Sequence, residues 1–226
     1  MTLDNFESLL EKYFTFWDHL SADEKNLLLS NAALKQYGKG QSLHNGNDDC
    51  IGVFLVNRGT LRTYILSEEG REITLYRLYE GEMCVLSASC VLSSINFDVH
   101  IDAETDCEIL LISSSAFAEV SRKNIYVECF TYKQAADRFT DVMLVMQQIL
   151  FMSFDRRLAI FLWEELSTNE PGNNTISLTH EQVAKYMGSA REVVTRMLNY
   201  FASEGIVELS RGGIKIMDRQ KLRSLL

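Results

Sequence analysis

Proline is nearly absent from this chain: one occurs among 226 residues, Pro171. It sits in Glu170-Pro171-Gly172-Asn173-Asn174, a run of turn formers that reads as a loop. Cysteine is sparse as well. Cys50, Cys84, Cys90, Cys107 and Cys129 are odd in number and widely spaced. That argues for reduced thiols and against a disulfide framework. No C-x2-C and no H-x-H occurs anywhere. Only His44 and His100 fall in the strand-rich part, too few for the clustered imidazoles and carboxylates of a metal-dependent barrel enzyme. There is no Ser/His/Asp order and no phosphate loop to suggest catalysis. No apolar run is long enough to cross a bilayer. The acidic opening MTLDNFESLLEKYF lacks the basic and apolar regions of a signal peptide, so the expected location is the cytoplasm. A hydrophobic content of 46% and a charged content of 23% describe an ordinary globular chain.

Positive charge is scarce too, with a net charge of −9, but it is unevenly placed. Residues 175–226 carry eight Lys/Arg against five Asp/Glu, a net +3. The other residues carry 14 against 26, a net −12. The basic excess lies at one end, as local attraction to phosphate requires.

That end contains Thr179–Phe201, THEQVAKYMGSAREVVTRMLNYF. Val183, Ala184 and Met187 have helical spacing. Gly188 follows, where a sharp left-handed turn is easily made. Val193, Val194, Met197, Leu198 and Phe201 continue the apolar stripe. This is the pattern of a helix-turn-helix. Off the stripe lie Arg191, Glu192, Thr195 and Arg196, side chains of the kinds that read base edges and phosphates from the major groove. Thr179 and His180, at the start of the first helix, are assigned to the same surface. Beyond Ser203-Glu204-Gly205, two short runs flank Arg211-Gly212-Gly213 and read as a wing, with Arg211 and Lys215 placed to meet phosphates.

Residues 3–35 read as helical, with a capping box at Ser21-Ala22-Asp23-Glu24. Residues 37–113 alternate β-rich runs (Ile51–Asn57, Thr60–Leu66, Glu72–Leu78, Cys107–Ile112) with glycine-marked turns. Glu68-Glu69-Gly70 is a hairpin signal. The runs imply a β-sandwich or barrel. Residues 114–152 return to helix. There Tyr132, Ala135, Phe139, Val142, Met146 and Ile149 form a heptad seam that needs a partner helix. That partner is either another part of the same chain or the same helix of a second copy; the second is the expectation, with Met143, Leu144 and Leu150 meeting the β-domain and leaving the seam free. Asp155 reads as the N-cap of the next helix.

Arg191-Glu192-Val193-Val194-Thr195-Arg196 resembles the recognition helix of the Crp/Fnr family of bacterial transcription regulators. NRGTLRTYILSEEGREITLYRLYEGE resembles that family's double-stranded β-helix sensor. The resemblance implies an α+β chain: a jelly-roll sensor at 1–121 with N-terminal helices, a dimerisation helix at 122–153, and a winged helix-turn-helix at 154–226. It implies a homodimer on an inverted-repeat operator, with RNA polymerase as a further partner and a half-site akin to TGTGA.

By resemblance the effector pocket involves Cys84, Leu86, Ser87, Cys90, Phe97 and Asp98. The family's nucleotide-binding members hold the ribose with a glutamate and the cyclic phosphate with an arginine. Here Leu86 stands near the first position and Asp98 in the region of the second. No Lys or Arg lies between Arg77 and Arg122. A cyclic nucleotide is therefore not expected. The close N-terminal cysteines of the family's iron–sulfur members are missing, and haem would rest on His100 alone, so neither is expected. Cys84 and Cys90 read as small buried apolar residues more than as a redox pair. Rival readings are a cupin-type metal enzyme and a cyclic-nucleotide-binding regulatory subunit, the latter opposed by the helix-turn-helix.

Overall fold

The computed structural model describes residues 3–46, 52–84, 99–169 and 172–226. By contacts the chain divides into two compact units: residues 1–65 with 75–142, and residues 66–74 with 143–226.

The first unit opens with helices α1 (Leu3–Tyr13) and α2 (Ala22–Ser30), separated by a 3-10 turn at Trp17–His19. The Ser21 capping box forms: the Ser21 amide donates to Glu24 Oε2 at 2.7 Å, and the Glu24 amide donates to Ser21 Oγ at 3.3 Å. The bond to Glu24 Oε2 favours the charged carboxylate, and the Glu24 pKa is lowered accordingly, chiefly by the Ser21 amide.

The strands follow as β1 (Ala32–Tyr37), β2 (Ser42–His44), β3 (Val53–Arg58), β4 (Leu61–Leu66), β5 (Glu72–Leu78), β6 (Met83–Cys84), β7 (His100–Ala103) and β8 (Cys107–Ile112). They form two four-stranded sheets, ordered β1-β8-β3-β6 and β2-β7-β4-β5. These are the two walls of the expected jelly roll. The hairpin signal falls between β4 and β5, with Gly70 at φ 77°. Helix does not extend to residue 35. Leu34 lies in β1, which pairs antiparallel with β8 along its whole length.

Strand β3 shows how the first sheet is held. Val53 and Leu55 point to a core shared with Leu10, Phe14, Phe16, Trp17, Phe117 and Val127. Phe54 and Val56 point to a core between the sheets with Leu61, Leu78, Ile101 and Ile109. All four are essentially buried. The sheet is a wall between a helical layer and the barrel interior. Each such side chain stabilises the fold by about 1.5–3 kcal/mol.

After α3 (Ser114–Lys123), Asn124 breaks the helix and α4 (Ile125–Phe151) begins. At 1.5 Å per residue its 27 residues reach about 40 Å. Ala135 packs against the first core and Val142 against the second. Met143, Leu144 and Leu150 are exposed, contrary to the expectation that they meet the β-domain. The exposed positions Ile125, Cys129, Tyr132, Ala136, Phe139, Met143, Met146 and Leu150 recur every four or three residues. This stripe keeps Tyr132, Phe139 and Met146 of the expected seam, but Ala136 and Met143 stand in it where Ala135 and Val142 were expected.

The second unit contains α5 (Phe154–Ser167), β9 (Thr175–Ile176), α6 (His180–Met187), α7 (Arg191–Ser203), β10 (Val207–Ser210), β11 (Gly213–Ile216) and α8 (Arg219–Ser224). Ser153, not Asp155, is the N-cap of α5. Asp155 lies in the first turn, where a hydrogen bond from the Ser153 side chain lowers its pKa. No helix among the described residues is long and apolar enough to cross a membrane.

Candidate nucleic-acid interface

Helix α6 is fixed at both ends by local chemistry. Thr179 caps its start: Thr179 Oγ1 accepts from the Gln182 amide at 3.2 Å, and Gln182 Oε1 accepts from the Thr179 amide at 2.8 Å. Such a cap stabilises by about 1 kcal/mol. Gly188 closes the helix at φ 60°, ψ 38°, and the Ser189 amide donates back to the Ala184 carbonyl at 3.0 Å. A residue with a Cβ is strained in that conformation, so glycine is required by the turn.

The turn delivers α7 with its apolar face inward. Val183, Ala184 and Met187 of α6 meet Val194, Leu198 and Phe201 of α7 in one core, joined by Leu158 and Leu162 of α5. Val193 and Met197 are only half-buried. The opposite face of α7 presents Arg191, Glu192, Thr195, Arg196 and Asn199 around an open cleft. Arg191, Glu192, Arg196 and Asn199 are exposed. Asn199 is an addition to the expected set. It stands three and four residues beyond Arg196 and Thr195, so helical spacing was the signal for it.

His180 and Thr195 meet across the two helices, His180 Nδ1 lying 3.0 Å from Thr195 Oγ1. Burial lowers the His180 pKa from its ordinary value, and the Arg191 cation lowers it further.

The wing forms as β10 and β11 pair antiparallel, with β9 on the far edge of β11. Gly212 takes φ 81° at the tip, beside exposed Arg211. Lys215 does not stand alone. It is opposite Glu208 in the pairing, and its Nζ lies 3.5 Å from Glu208 Oε2. That pair is exposed on both sides and weak.

Leu86, Ser87, Cys90, Phe97 and Asp98 lie outside the described residues, and Cys84 is fully buried on β6. His100 stacks on Tyr64, with ring centroids 5.2 Å apart. Two buried cations lie outside the stretch between Arg77 and Arg122: Arg138 beside the core between the sheets, and Arg62 on the face of β4 opposite Leu61. Arg62 of β4 is buried, 4.4 Å from the Tyr64 ring centre. Arg138 of α4 is buried 5.0 Å from the Tyr76 ring centre, pairing with Asp141 at 3.0 Å and Glu82 at 3.6 Å. Burial raises the Asp141 carboxyl despite Arg138. Burial also raises the Tyr76 phenol well above its ordinary value.

Both halves match known families. Residues 34–124 match the cyclic nucleotide-binding domain, and residues 156–225 match the Crp-like helix-turn-helix domain. A crystal structure from Eubacterium rectale, assigned to the transcriptional regulators of the Crp/Fnr family, is 47% identical. It covers 95% of this chain and 98% of its own, with a TM-score of 0.91. The chain is also 24% identical over 206 residues to the Cyclic AMP receptor protein of Thermus thermophilus, covering 91% of this chain and 94% of that protein. It is 22% identical over 190 residues to the cAMP-activated global transcriptional regulator Vfr of Pseudomonas aeruginosa, covering 80% and 88%. The chain belongs to the Crp/Fnr family of DNA-binding transcription regulators.

Proposed function

We propose that this regulator acts in the cytoplasm as a homodimer. Two copies pair through the exposed stripe of α4 and place two α7 helices on an inverted-repeat operator. A signal received in the β-domain controls that binding, and RNA polymerase is the further partner.

One observation carries the reading: α7 buries one face in its own core and leaves Arg191, Glu192, Thr195 and Arg196 together on the other. Arg191 and Arg196 suit guanine, since a guanidinium can donate to both O6 and N7. Glu192 can accept from the amino group of cytosine. Thr179 and Arg211 supply phosphate contacts, and Lys215 does so with Glu208 beside it. Half-sites related by a two-fold axis fall about 34 Å apart, one turn of the duplex.

The enzyme and adaptor readings find no support in the relatives, which are transcription regulators. Cyclic AMP is not the signal in this reading. Arg138, brought in by α4, is already paired with two carboxylates.

Selection of sites from random DNA tests the proposal. Inverted repeats containing guanine under Arg191 are expected. Sites without two-fold symmetry would overturn it.

A further inference from the structure

The His180–Thr195 contact joins the first residue of α6 to the middle of α7, in the cleft that Arg191, Glu192, Arg196 and Asn199 share with Thr195. Thr195 Oγ1 makes no other hydrogen bond among the described residues, so this contact decides how the hydroxyl is used. A hydroxyl has one proton to give and lone pairs with which to accept. When His180 is neutral and carries its proton on Nε2, Nδ1 accepts the Thr195 O–H. The hydroxyl then offers only lone pairs to anything entering the cleft. When His180 is protonated, Nδ1–H donates to Thr195 Oγ1 and the O–H is free to donate outward.

These two forms suit different bases. An accepting hydroxyl suits the amino groups of adenine or cytosine. A donating one suits O6 and N7 of guanine or O4 of thymine. We infer that His180 is a positioning residue for base recognition, setting whether Thr195 accepts from or donates to the base beneath it. This rests on reading α7 as the recognition helix.

The surroundings allow the ring to change state. His180 is only half-buried, and from α7 it is Arg191 that faces it. Glu181 and Lys185 of its own helix are exposed. Burial and then the Arg191 cation lower the ring's pKa in the free protein, both disfavouring the imidazolium. Phosphates drawn to the same surface act the other way, since a nearby anion favours the imidazolium. Protonation is thereby linked to binding.

The test is site selection from random DNA at about pH 5.5 and about pH 8, which bracket the ordinary histidine range. It uses the full-length wild type, Thr195→Val and His180→Asn. In the wild type, the position under Thr195 should move from adenine or cytosine at the higher pH toward guanine or thymine at the lower. The ratio should change by about threefold or more, as one hydrogen bond permits. Thr195→Val keeps the branched shape without the hydroxyl, and His180→Asn does not titrate. Either variant should lose the shift, so one that folds is enough.

A wild-type preference that is the same at both pH values would overturn the inference. So would a shift that survives in Thr195→Val. If no sequence is enriched at either pH, the recognition-helix reading fails and this inference with it. If sites are enriched without a pH effect, only this inference fails.

Discussion

Phe139 is 65% exposed on α4, whereas Val142, one turn on, packs into the barrel core. If the exposed stripe pairs two copies, replacing each residue with aspartate should have different effects. A phenylalanine offers about 200 Å² of surface, so about 130 Å² is free to be buried in each copy. At about 25 cal/mol per Å² that is about 3 kcal/mol per copy, or about 6 kcal/mol for a symmetric pair. This is an upper bound, and it corresponds to about four orders of magnitude in the dissociation constant. Phe139→Asp should lose this and set two carboxylates toward each other at the interface. It should sediment as a monomer while keeping the thermal transition of its β-domain. Val142→Asp should instead bury a charge within one copy and lower that transition. Sedimentation and calorimetry on both variants decide the matter. If Phe139→Asp sediments as the wild type does, or Val142→Asp dissociates the protein without destabilising it, the stripe is not the interface.

Cys129 gives an independent check, because helices paired in parallel and in register along the stripe set the two thiols across the axis. Mild oxidation should yield a covalent dimer on a non-reducing gel, and Cys129→Ser should abolish it. Arg191→Ala should weaken the specific complex by about 1–3 kcal/mol and relax the guanine preference in site selection. Lys215→Ala should weaken all sequences alike and make the salt slope shallower, while Glu208→Ala should strengthen them, because its carboxylate opposes the same phosphates. Cyclic AMP and cyclic GMP should show no micromolar binding by calorimetry, and a clear titration by either would refute the sensor assignment.

The helix-turn-helix was legible in the sequence because its determinants are local. The cap at Thr179, the glycine at the turn and the 3.6-residue stripe through Val194, Leu198 and Phe201 all lie within one short segment. The register of the α4 stripe was not. Val142 and Met143 are adjacent and both apolar, so periodicity alone does not say which one turns toward the barrel. The neighbouring sheet decides that. Strand β1 was missed because Ala32-Ala33-Leu34-Lys35-Gln36-Tyr37 is rich in good helix formers, and its pairing with β8 overrides their preference. Arg138 escaped a scan along the chain because the fold, not sequence proximity, brings α4 beside Tyr76 and Glu82. The N-cap of α5 was misplaced by two residues, since Ser153 and Asp155 are both capping types.

Strand β3 belongs to two neighbourhoods at once. Its even-numbered side chains press on the barrel interior, and its odd-numbered ones press on the layer that holds Val127 at the start of α4. Protein interiors are dense and barely compressible, so a volume change on one side of such a strand does not stay there. Added bulk in the barrel pushes against the helices, and a cavity lets them relax inward. Substitutions at Phe54 or Val56 should therefore loosen aromatic packing around Phe16 and Phe117, which neither side chain touches in its own core. Near-ultraviolet circular dichroism would register the change.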